Sequence, residues 1–205
     1  MSTWMKTAAL AALSAAQLSA AAWSIARYES TLASGTLYRI RTLGVDPADA
    51  FRGRYVAVQP AITISKPIAR EVEELLGRIQ GSEEGYVLLT TGVDGYAQAA
   101  QILTEPPTQG DYLKFARVWQ QWNPATRPDG EATSAGYNII FSFDRYYMNE
   151  AAAPAAQNRL AVAVGRNAPS QASLTVRVKD GIGVIEGLFI DGVPIEELVR
   201  APPKP

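Results

Sequence analysis

Few side chains in this sequence can do chemistry: it has no histidine, no cysteine and only five lysines, Lys6, Lys66, Lys114, Lys179 and Lys204. Zinc sites of the Cys/His kind, Ser-His-Asp and Cys-His nucleophile systems, disulfides and haem held by His or Cys are thereby excluded. The remaining basic residues are arginines, which stay protonated and do not serve as general bases. Ser65-Lys66 is the one adjacent pair that suggests a Ser/Lys nucleophile system. That chemistry needs a buried lysine touching a separate serine, whereas chain neighbours generally point apart, so Ser65 is better explained as a helix cap. Glu73-Glu74, Glu83-Glu84 and Glu196-Glu197 read as surface doublets, because a glycosidase needs acids facing one another across an aromatic cleft. Trp119, Trp122, Tyr146 and Tyr147 are the aromatics that could line one, but packing in core and rim is their commoner use. No catalytic residue, cofactor-binding residue or metal ligand is assigned.

Binding chemistry is better provided for. Arg39 and Arg41 are two apart, hence on one face of a strand, and Arg52 and Arg54 return beside them after a turn. Four guanidinium groups near a membrane helix could hold lipid phosphates or a partner's carboxylate. Asp46 and Asp49 could instead neutralise them locally and leave a solvated edge. With 19 basic against 20 acidic residues and a pI near 5.6, there is no field to attract a polyanion, and no nucleic acid partner is expected.

The elements that must position these groups begin with residues 7–26, twenty in a row without a charge. As a helix they span ~30 Å, the thickness of a bilayer's hydrocarbon core. Ten of them are Ala and five are polar, so insertion rests on Leu10, Leu13, Leu18, Trp23 and Ile25. Three readings stand open. A retained single-pass anchor, with the domain outside the cytoplasm, is favoured by Trp23 and Tyr28 at the level of an aromatic belt and by Arg27 closing the span. A cleaved signal, leaving a secreted or periplasmic protein, is the second choice, since Ser19-Ala20-Ala21 and Ala20-Ala21-Ala22 offer small-x-small sites. A soluble Ala-rich helix is the third.

Beyond residue 30 the pattern turns to strands. Residues 36–43 alternate, and 54–64 continue with Tyr55, Val56 and Val58 until Pro60 is expected to break the ladder, so the two runs read as a pair joined by a turn at 44–53. Residues 65–81 have helical spacing between Ser65 and Gly81. Further strands are expected at 85–91, 96–103, 111–119, 137–143, 160–164, 173–178 and 183–190, separated by Gly, Pro and Asp-Gly turns and by a polar loop at 123–136. The sum is a mainly β domain, an antiparallel β sandwich or barrel with one or two short helices, preceded by an N-terminal apolar helix. The organisation expected is an anchor or signal segment at 1–30, an extracytoplasmic β-rich domain at 31–200 and a disordered tail at 201–205.

Asp46-Pro47 and the run Phe51-Arg52-Gly53-Arg54-Tyr55-Val56-Ala57-Val58, behind an apolar helix and a strand, resemble the bacterial GDYXXLXY family, whose members read D-P-x-D-x-F-R-G-D-Y-x-x-L-x-Y there. The blocks Tyr86-Val87-Leu88-Leu89 with Asp94-Gly95, Phe143-Asp144-Arg145-Tyr146-Tyr147 before Glu150, and Gly187-Leu188-Phe189-Ile190-Asp191-Gly192 extend the likeness over most of the chain. Arg54 replaces the signature aspartate, Val58 the leucine and Pro60 the last tyrosine. A literal Gly110-Asp111-Tyr112 occurs later, out of place, and is read as coincidence. The resemblance implies a membrane-anchored domain with no established activity, often encoded beside a multi-pass membrane protein. Residues and resemblance together lead to a non-enzymatic binding or accessory module for a membrane partner, with an envelope hydrolase using carboxylates or a Ser/Lys pair as the alternative.

If Gly53 holds a positive φ in the turn, Gly53→Val destabilises the domain by roughly 1 kcal/mol or more while Arg54→Ala costs little. Equal melting temperatures for Gly53→Val and wild type would refute the turn.

Overall fold

Alternation along β1 (Thr36–Leu43) puts Tyr38, Ile40 and Thr42 inside and Leu37, Arg39, Arg41 and Leu43 outside. The computed structural model describes residues 3–43, 55–64, 84–120, 137–164 and 171–200. The expected turn at 44–53, helix at 65–81, loop at 123–136 and tail at 201–205 lie outside the described residues.

β1 pairs antiparallel with β10 (Ala172–Lys179) and β3 (Gln59–Ala61), and β11 (Ile182–Ile190) and β12 (Val193–Pro194) extend the sheet in the order β12-β11-β10-β1-β3. A second sheet has the order β4-β6-β5-β7-β8, from β4 (Thr63–Ile64), β5 (Gly85–Thr91), β6 (Ala97–Leu103), β7 (Tyr112–Gln120) and β8 (Tyr137–Phe141). Its pairs are antiparallel except β4 with β6. β2 (Tyr55–Ala57) and β9 (Arg145–Tyr147) form a separate antiparallel ribbon. One core joins the sheets: Ile40, Leu174, Val176 and Leu188 from the first meet Val87, Leu113, Phe115 and Phe141 from the second. Each such side chain, removed from water, stabilises the fold by about 1.5–3 kcal/mol.

Residues 55–64 run through all three sheets. β2 pairs with β9, the Val58 amide then donates to the Asp144 carbonyl at 3.0 Å, β3 pairs with β1, and β4 pairs with β6. Val56, Val58, Pro60 and Ile62 are all buried, a period of two kept across every change of partner. The expected pairing of this run with 36–43 holds only for β3. Pro60 does not end the ladder as expected but sits inside β3, an edge strand, where a missing N–H is tolerated. The buried Thr42 hydroxyl beside it accepts from the Gln59 amide and donates to the Gln59 carbonyl, each at 3.2 Å.

The strand expected at 160–164 is instead the end of a helix, α2 (Ala153–Ala163), after α1 (Thr3–Ser34). Ala153, Ala156, Leu160 and Ala163 are buried at spacings of three and four, Pro154 sits in the first turn, and the alanines favour helix, whereas a short apolar run alone does not separate strand from helix. A short α3 (Ile195–Arg200), not expected from the sequence, carries Glu196 and Glu197 in its first turn and Arg200 in its last, in the sense of the helix dipole, with Ile195 wholly buried. α1 has 32 residues and a mean hydropathy of 1.4 in its most apolar stretch, long and apolar enough to cross a membrane.

Val58→Ala should cost about 1.5–3 kcal/mol, since it leaves a cavity where the segment crosses between sheets, and Gln59→Ala much less. Chemical denaturation of both variants measures this, and equal midpoints would show that the segment's inward row does not hold the sheets together.

Candidate functional site

The last two turns of α1 dock on the β10–β11 hairpin. Lys179 Nζ donates to Ser30 Oγ and to Ser34 Oγ, both at 2.8 Å, and Arg177 Nη1 donates to the Gly35 carbonyl at 3.2 Å while its Nε meets Glu186 at 3.0 Å. Thr31 is buried, its hydroxyl donating to the Arg27 carbonyl at 3.0 Å. Gly35 permits the contact, because a Cβ there would lie 2.5 Å from the Thr31 carbonyl oxygen and 3.0 Å from that of Val178. The hairpin tip, Asp180 and Gly181, both at positive φ (49° and 80°), thus comes to the level of Arg27.

Three cavities gather around this junction. The largest, about 560 Å³, is bounded by Tyr28, Phe143, Arg145, Tyr146 and Tyr147. A second, about 360 Å³, is bounded by Arg27, Tyr86, Tyr112, Lys114 and Asp180, and a third, about 240 Å³, by Trp23, Ala26, Arg27, Lys179 and Asp180. Tyr28 and Tyr147 stand exposed at 51% and 67%, so aromatic rings with polar tips face the space beside the helix. Tyr86 and Tyr112 meet edge to face, centroids 5.7 Å apart. Burial first, then Asp180 and Tyr86, raise the pKa of Tyr112, against the opposing pull of Arg27. Lys114 is raised above its ordinary value by its hydrogen bond to Glu84, 2.6 Å away.

Two phenols are locked by carboxylates. Tyr146 donates to Glu196, and burial with that carboxylate holds its pKa far above the ordinary tyrosine range. Glu196 is therefore not the free surface doublet expected from the sequence. Tyr38 donates to Asp111 Oδ2 at 3.0 Å, and burial, reinforced by Asp111, pushes it up to about 12. Among the described residues no three carboxylates gather as a metal site requires.

Of the four arginines singled out from the sequence, the two described ones sit elsewhere. Arg39 and Arg41 share the exposed face of β1 and both lie over the Tyr96 ring, at 5.2 and 4.4 Å, with Arg41 paired to Asp94 at 2.9 Å. Register puts Arg41 opposite Ser173, at the end of β10 away from Lys179 and so ~20 Å along the strand from the helix junction. Asp46, Pro47, Arg52, Gly53 and Arg54 lie outside the described residues, as do Ser65, Lys66, Glu73, Glu74 and Trp122. Tyr55 is half-buried, edge to face with Tyr147 at 5.8 Å and under the Arg145 guanidinium at 5.0 Å.

Residues 17–188 match the family described as GDYXXLXY protein. The chain belongs to the GDYXXLXY family. Neither a curated protein nor a solved structure matches it significantly. Within this GDYXXLXY chain the signature positions divide by face: Tyr55 stands at the rim of the β2–β9 ribbon, whereas Val58 and Pro60, where the family has leucine and tyrosine, are buried. The misplaced Gly110-Asp111-Tyr112 has structural work of its own, with Gly110 at φ 84°, Asp111 accepting from Tyr38 through its side chain and from the Leu89 amide through its carbonyl at 2.8 Å, and Tyr112 entering the cleft. Sequence alone does not mark Arg27, Asp180 and Tyr112 as site residues. Arg27 closing the span and Asp180-Gly181 as a hairpin turn were visible separately, but nothing local joins positions so far apart in sequence.

Because the folded pKa of Tyr38 is raised, its contribution to stability is complete below the unfolded value near 10 and is lost as pH rises through about 12. Denaturation of wild type and Tyr38→Phe between pH 9 and 12 should show the wild type losing more stability over that interval, and parallel curves would contradict the Tyr38–Asp111 lock.

Proposed function

We propose that this protein is a membrane-anchored, extracytoplasmic domain that acts as a non-enzymatic accessory module for a multi-pass membrane partner. The observation that carries the reading is the clamp of Lys179 and Arg177 on Ser30, Ser34 and Gly35, which ties the β domain to the helix that is long and apolar enough to span a bilayer. If residues 7–26 fill the hydrocarbon core, residues 27–34 stand ~12 Å above it, and the aromatic cleft beside Tyr28, Phe143 and Tyr147 opens at the bilayer surface, within reach of a partner's external loops. Tyr28, Phe143, Arg145, Tyr146 and Tyr147, five of the residues bordering that cleft, are of types enriched in protein interfaces.

The chain has no native cysteine, so one placed at the fully exposed Val93 reports topology cleanly. Val93→Cys should react with an impermeant maleimide once the outer barrier is opened. Labelling only after lysis of the inner membrane would overturn the orientation. Purification from detergent should enrich one integral membrane protein, less so with Tyr147→Ala, and a chain that emerges alone would overturn the accessory role.

A further inference from the structure

Around the helix junction most charged groups are already engaged: Lys179 with two serines, Lys114 with Glu84, Arg145 with Asp144 at 3.4 Å. Arg27 and Asp180 differ. Neither side chain has an ion pair or hydrogen bond among the described residues, with each other or with anything else, although both border the same two cavities together with Ile182. An arginine and an aspartate that face one space without touching form a site with two opposite poles.

The surroundings of the two poles narrow the ligand. One cavity is walled by Trp23 and Ala26, the last turn of the apolar stretch, so it opens where hydrocarbon gives way to headgroups. Apolar Trp23, Ala26 and Ile182 offer a path for the start of an acyl chain, and Arg27, one residue further along the helix, is placed for the phosphate that follows it. Across the space lie Tyr86 and Tyr112, whose faces attract an ammonium, and Asp180, whose carboxylate accepts its protons. Asp180 is set there by structure, because the turn it shares with Gly181 is tied to β7 through the Lys114 amide, which donates to the Gly181 carbonyl at 2.9 Å. The opposing effects of Arg27 and Asp180 on Tyr112 fit two charges acting on one ring. A lone arginine would take any phosphate, but a carboxylate beside it disfavours a purely anionic headgroup and favours one that brings its own cation. Hydrogen bonding to a carboxylate further favours a primary over a quaternary ammonium.

We infer that the Arg27–Asp180 cleft binds the zwitterionic headgroup of a phospholipid, phosphate on Arg27 and primary ammonium on Asp180. The inference rests on the reading of α1 as a retained membrane anchor, and the measurements separate the two.

The test uses the full chain, delipidated in detergent, with phosphatidylethanolamine, phosphatidylglycerol and phosphatidylcholine of identical acyl chains and with water-soluble glycerophosphoethanolamine; bound lipid is counted by native mass spectrometry. Phosphatidylethanolamine should be retained in preference to the other two lipids. Arg27→Gln should lower its retention about tenfold, the size of losing one charge-assisted hydrogen bond. Asp180→Asn, which keeps a residue tolerant of positive φ, should erase the preference over phosphatidylglycerol. Both variants should resist carbonate extraction from membranes and melt as wild type does. Equal retention of the three lipids, or a preference untouched by both substitutions, overturns the site while leaving the anchor standing. Glycerophosphoethanolamine bound as tightly as the lipid overturns the membrane source. Wild-type protein released by carbonate overturns the anchor and the headgroup site with it.

Discussion

The joint between α1 and the β10–β11 hairpin decides which described surfaces of this GDYXXLXY protein lie beside the apolar helix. A helix of 32 residues measures ~48 Å, longer than the ~30 Å of a bilayer's hydrocarbon core, and its last turns take their orientation from a contact with the hairpin. Lys179 supplies it by bonding Ser30 and Ser34, one turn apart on the same face, and Arg177 holds the Gly35 carbonyl where the helix has ended. Without this joint the helix would be tied to β1 through Gly35 alone. With it, the hairpin tip, the Tyr86–Tyr112 pair and the Phe143 loop all lie beside the helix.

That joint is useful only if the hairpin belongs to a rigid body, and residues 55–64 supply much of the rigidity. A sandwich can shear if each sheet is stitched only to itself. Here one extended segment is hydrogen-bonded to β9, then β1, then β6, while Val56, Val58, Pro60 and Ile62 keep facing inward. The family signature begins this segment. Two of its three degenerate letters, Val58 and Pro60, occupy buried positions, and valine for leucine is a small apolar change of the kind cores tolerate.

The alternating strands are legible because one wet and one dry face leave a period of two: the runs at 85–91 and 36–43 coincide with β5 and β1. Leu160 to Val164 misleads because five apolar residues fit either state, and the deciding signal, burial of Ala156 and Ala153 one and two turns earlier, is written in alanine, which marks no face by hydropathy alone. Pro60 misled because edge position is a property of the sheet and not of the residue. The exposed pairing of Arg39 with Arg41 followed from strand geometry, but Tyr96 and Asp94, which occupy them, come from a hairpin more than fifty residues away. Sequence spacing places residues on a face and does not say what faces them.

The two ends of the β1–β10 pair therefore differ in how their charges are satisfied. At the far end, Arg39 and Arg41 already rest on Tyr96 and Arg41 on Asp94, so any ligand there must displace contacts that exposed groups make at little net gain. At the near end the structural cations, Lys179 and Arg177, are engaged in holding the helix. Among the described residues the Arg27 and Asp180 side chains hold nothing, yet the joint sets both beside one cavity at the close of the apolar span. The joint and the Lys114–Gly181 hydrogen bond hold the two backbone positions, so a ligand that satisfies both charges displaces no ion pair or hydrogen bond seen among the described residues. Trp23 and Ala26 wall that same cavity, so the two charges and the end of the stretch long and apolar enough to cross a membrane meet in one place.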